Sequence, residues 1–133
     1  MRLTLSKNLE PIRLEACAEI DRQAERVRTL FITPGSGQSM VYQQKRVEAL
    51  KVIDDPNVDP SEVPHIASEA MMNGIGLEEQ ANIILTMAQQ WTEVSSMIEV
   101  RRLAAKQAVR AARTEAEIDQ AKQVDWSDIK ALA

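Results

Sequence analysis

The chain has 133 residues, a net charge of −4, 44% apolar but only 3% aromatic side chains, four glycines, five prolines and one cysteine. That length suits one small domain, or a few helices that complete their core with partners. The acidic balance excludes a general attraction to nucleic acid or anionic lipid, the lone Cys17 excludes an intrachain disulfide, and no stretch reaches the length of a membrane span.

Much of the apolar content is Ala, and Gly and Pro fall mostly in three clusters, which leaves the rest strongly helix-permissive. An all-α fold is predicted. Residues 1–10 read as an extended arm in which Leu3 and Leu5 alternate with polar residues and Asn8 can cap the helix after it. The arm lacks the apolar run of a signal peptide, and a soluble protein made in a reducing cytoplasm is expected.

A helical hairpin is predicted over 11–53. Its first helix runs from about Pro11 to Phe31, with Pro11 acceptable in a first turn. Ile12, Ala16, Ile20, Ala24, Val27 and Phe31 form one stripe with steps of three and four. Thr33, Pro34, Gly35 and Gly37 break the helical pattern, and a second helix starts near Ser36 or Gln38, carries Tyr42 and stops at Asp54-Asp55-Pro56. Its stripe is the weaker one: Met40, Val41, Val47, Leu50 and Ile53.

Residues 54–61 form a loop, and Ser61 fits an N-cap for a short helix with Pro64 at its third position. Gly74 ends that helix as a left-handed cap. The helical region extends over 62–124, and from Leu77 onward it contains neither Gly nor Pro. Leu77, Ile84, Trp91, Ile98, Ala105 and Ala112 recur every seven residues and suit a coiled-coil-like seam. Thr114-Glu115-Ala116-Glu117 matches a capping box, so a break is predicted there, giving helices of about 77–112 and 115–123. Arg101, Arg102, Lys106, Arg110 and Arg113 crowd the end of the longer helix, and acids crowd the start of the next, each set complementing a helix dipole. Residues 125–133 are a tail around Trp126, which either folds back or docks on a partner.

No catalytic or metal constellation emerges. His65 is the only histidine and stands far in sequence from Cys17, short of a zinc set. Ser36 sits between glycines, but a nucleophile elbow requires a preceding strand where this sequence predicts a helix. No enzyme, cofactor or metal is expected. The basic run from Arg101 lacks interleaved aromatics, so nucleic-acid binding ranks below contact with an acidic protein surface.

The segment Ile32-Thr33-Pro34-Gly35-Ser36-Gly37-Gln38-Ser39-Met40-Val41-Tyr42, followed by Lys45 and Glu48-Ala49, resembles a segment of small tail-fibre-associated proteins and tail-fibre domains of tailed bacteriophages and prophages. Trp91, Ile98-Glu99, Arg102, Ala105-Lys106 and Asp125-Trp126 resemble the helical continuation of the same proteins. The resemblance implies a non-catalytic virion component of the tail, its fibres or the baseplate, made in the host cytoplasm. Expected partners are other phage tail or fibre proteins and further copies of the chain, with no membrane. The motif residues Thr33, Pro34, Gly35, Gly37, Gln38 and Tyr42 mark the turn, and Leu3, Leu5, Trp91, Ile98 and Trp126 are the candidate interface residues. A tail-assembly chaperone absent from the particle is the alternative, and a helical regulator using Arg101–Arg113 on nucleic acid is a third reading.

Overall fold

The computed structural model describes residues 8–133. The fold is all-α. Among the described residues there are six α-helices: α1 (Glu10–Arg28), α2 (Ser36–Asp54), α3 (Pro64–Asn73), α4 (Leu77–Ala111), α5 (Glu115–Ala121) and α6 (Ser127–Lys130), with a short 3-10 turn at Pro60–Glu62. They are divided between two compact units, one built from the segments up to Ile32 and from Val94 onward, the other from Thr33–Glu93. The two helices predicted as a hairpin, α1 and α2, therefore belong to different units.

In the discontinuous unit the α1 stripe is buried as its spacing requires. Ala16 and Ile20 pack with Val109, Ala112 and Ile118, and Ala24 and Val27 pack with Ile98, Trp126 and Ile129. Small residues at 16, 24 and 112 allow close helix approach, so few large side chains are needed to fill the core. α1 ends at Arg28, three residues before the predicted end, because the chain tightens: Leu30 N–H donates to Val27 O and Phe31 N–H to Arg28 O.

The α4–α5 break falls where the capping signal places it. Thr114 is the N-cap of α5, its Oγ1 accepting from Glu117 N–H at 3.1 Å. The Glu117 carboxylate reaches one residue beyond the cap and accepts from Arg113 N–H at 2.7 Å. Arg13 of α1 donates to Ala112 O at 2.7 Å, placing a cation on the carbonyl end of α4.

The continuous unit has its own core of Ala49, Val52, Val63, Ile66 and Ala81, against which Val58, Leu77, Ile84 and Leu85 pack. Gly74 closes α3 at φ 68°, with Ile75 N–H donating to Ala70 O and Gly74 N–H to Met71 O. Ser61 is not the cap of α3. It lies in the 3-10 turn, where its N–H donates to Asp59, and the helix begins at Pro64 without a side-chain cap from its own flank. The heptad series is not one seam: Leu77 and Ile84 serve the core of the continuous unit, while Ile98 and Ala112 serve the two clusters of the discontinuous one.

Candidate functional site

The turn motif opens α2. Gly35 adopts φ 116° and ψ 144°, backbone that a side chain opposes, and it is the residue on which α2 begins. Its carbonyl accepts from Ser39 N–H at 3.1 Å, with Ser39 Oγ at 3.3 Å. Gly37 has no positive φ and sits in the first helical turn with Gln38. Thr33, Pro34 and every residue through Met40 are exposed, and Tyr42 is exposed two residues further on.

α2 is two-faced. Of the predicted stripe, Met40, Val47, Leu50 and Ile53 are exposed and Val41 is half-buried; the buried face is Glu48, Ala49 and Val52. Met40 is 72% and Leu50 51% exposed. At about 100° per residue, Met40, Val47 and Leu50 centre roughly 160° from the inner face. Met40, Val47 and Leu50 thus line the solvent side of the helix, while Ala49 and Val52 pack in the core with Ile66 of α3.

On the inner face sits a carboxylate, that of Glu48. Glu48 is fully buried and takes over the missing cap of α3. It accepts from His65 N–H at 2.7 Å and Ile66 N–H at 3.4 Å, so a charge on α2 satisfies the amide end of a neighbouring helix. Its other oxygen lies 2.6 Å from His65 Nδ1 and accepts from Gln44 Nε2 at 3.0 Å. A second polar chain runs alongside: Lys45 pairs with Glu69, which accepts from Gln80 Nε2 at 3.0 Å, while Gln80 accepts from Asn73 at 2.9 Å. An acid one residue before an alanine gives no sign of this in sequence; the partners lie 17 and 18 positions away.

The remaining candidate interface residues are dispersed. Leu3 and Leu5 lie outside the described residues. Trp91 is half-buried on the part of α4 that belongs to the continuous unit. Ile98 and Trp126 come together inside the discontinuous unit, where Ile98 is fully buried and Trp126 is 5% exposed. Both are taken up in the chain's own core. Trp126 folds back, its Nε1 donating to Gln23 Oε1 at 3.0 Å, while Gln23 Nε2 donates to Lys122 O at 2.9 Å.

The basic run is also largely engaged. Arg101 forks onto Asp128 and donates to Asp125 O at 3.0 Å, which pins α6. The Arg101 guanidinium holds the Asp128 carboxyl down at about 2. Arg102 bridges Glu99 and Asp21, and Lys106 reaches Asp21 at 3.1 Å. Burial acts to raise the Asp21 carboxyl, but hydrogen bonds from Arg102 and Lys106 outweigh it and hold the group below its ordinary value.

Among the described residues no group of three or more His, Cys, Asp or Glu could hold a metal ion, and no helix is long and apolar enough to cross a membrane. The arrangement offers surfaces for contact: an exposed motif leading into an outward apolar stripe. Comparison with protein-family models, with curated proteins and with solved structures brings no match.

Proposed function

We propose that this protein is a structural virion component of a tailed bacteriophage, a non-catalytic helical adaptor associated with the tail fibre or baseplate and present there as a homo-oligomer. The reading rests on the resemblance of the Ile32–Tyr42 segment, with Lys45, Glu48 and Ala49, to tail-fibre-associated proteins. It is supported by the position of that segment. Thr33 to Met40 are exposed and lead directly into Met40, Val47 and Leu50 on the solvent side of α2. An open apolar stripe of this kind suits a helix that lies against another protein.

Mass spectrometry of purified particles, with copy number, tests the proposal. Stoichiometric presence in tails supports it. Absence from particles, with the protein held on fibre or tape-measure proteins in the infected cell, replaces it with the assembly-chaperone reading. Absence from both overturns the connection with tails altogether.

A further inference from the structure

We infer that residues 33–93 carry two complementary surfaces by which one copy of the chain docks on another: the outer stripe of α2 and the outer stripe of the first half of α4. The inference deepens the homo-oligomeric part of the proposed function, and it stands or falls on the solution behaviour of the protein alone.

The α2 surface is apolar with basic flanks. Met40, Val47 and Leu50 follow one another at the steps of seven and three that a helix-helix seam uses. Arg46 lies on one side of this row and Lys51 on the other; both are exposed, and neither forms an ion pair among the described residues. The α4 surface has the opposite sign. Ile83 and Met87, each more than two-fifths exposed, form one row, and Glu79 lies one turn before Ile83 on the same side. Glu79 is exposed and unpaired among the described residues, as is Glu78 beside it.

A partner for the α2 stripe needs an amphipathic helix with acids at its edge, and α4 of a second copy is such a helix. Antiparallel packing that sets Val47 against Ile83 places Lys51 opposite Glu79. It also sets Gln43 against Met87, and the carbonyl end of α2 beside the amide end of α4, so charges and helix dipoles agree. Like-with-like packing of two α2 stripes would instead bring Arg46 and Lys51 of both copies together. Charge complementarity therefore selects the α2–α4 pairing over α2–α2.

The patch is small, so association is expected in the micromolar range, measurable by sedimentation of the full chain from about 5 to 500 μM. Leu50→Glu puts a charge in the seam and weakens association at least about tenfold; Met40→Glu, at a more exposed position, acts in the same direction should Leu50→Glu lose helicity by circular dichroism. Lys51→Glu and Glu79→Lys each weaken association about fivefold, and the double reversal restores it to within about twofold of the original protein. A chain that is monomeric throughout the range overturns the inference, as does association that ignores Leu50→Glu or a double reversal that fails to restore it. A monomeric result leaves the tail assignment to particle composition, so the two readings fail separately.

Discussion

Replacing Glu48 by Ala removes a buried acceptor without removing its donors. Gln44 and the His65 ring are partly exposed and recover hydrogen bonds from water, so their loss is small. The cost concentrates in the amides of His65 and Ile66, the second of which sits in a buried residue at the start of a helix that has no other side-chain cap. An unsatisfied buried donor costs about 1–3 kcal/mol and a lost helix cap about 1 kcal/mol. Glu48→Ala should therefore destabilise the 33–93 unit by about 3 kcal/mol. Glu48→Gln keeps an acceptor oxygen for the amides and should cost about half as much, since hydrogen bonds to charged groups are roughly twice as strong as neutral ones. His65→Ala leaves both amide bonds in place and should cost about 1 kcal/mol. The assay is urea unfolding followed by far-UV circular dichroism, with Trp91 fluorescence in a Trp126→Phe background reporting the continuous unit. A loss below about 1 kcal/mol for Glu48→Ala, or a His65→Ala loss equal to it, refutes the assignment of Glu48 as the cap of α3.

Trp126→Ala empties a site shared with Ala24, Val27, Ile98 and Ile129, and should cost about 3–5 kcal/mol in the discontinuous unit, against about 1 kcal/mol or slightly more for Trp126→Phe, which chiefly loses the bond to Gln23; equilibrium denaturation separates the two. The Asp128 carboxyl lies at about 2 in the fold against an ordinary 3.8, so its contribution is complete above 3.8 and is lost as pH falls through about 2. Trp126 fluorescence should report α6 loosening across that window, and Asp128→Asn should remove this part of the acid dependence. Gly74→Ala meets no atom within 4 Å, so its cost is left-handed backbone strain alone, about 1 kcal/mol by thermal denaturation.

Helix placement was readable because the decisive signals are local. The α1 stripe, the Thr114 cap and the Gly74 stop each depend on residues within a turn or two, and each appears in the structure where its spacing puts it. The inner face of α2 was not readable, because burial there runs against hydrophobicity. Val47 and Leu50 face water while Glu48 is enclosed, a choice made by the amide end of α3 rather than by α2 itself. The seven-residue repeat of α4 misled in a different way. It records one helix that contributes in turn to two cores, and the same periodicity would arise from a single continuous seam. Of the sites, the exposed motif could be located from its Pro and Gly content, but the acid-flanked row on α4 emerges only once the inner side of that helix is known.

The division into a continuous and a discontinuous unit bears on synthesis at the ribosome. Residues 33–93 hold all of their own core partners within one stretch of chain, so this unit can close as soon as that stretch emerges. α1 leaves the ribosome before α2 and α3 yet lacks its core partners until Ile98, Val109, Ile118 and Trp126 emerge. Its apolar face, Ala16 to Val27, stays open while some seventy further residues are made. A helix made before the continuous unit is thus completed after it, and the nascent chain holds that face open to chaperones in the interval.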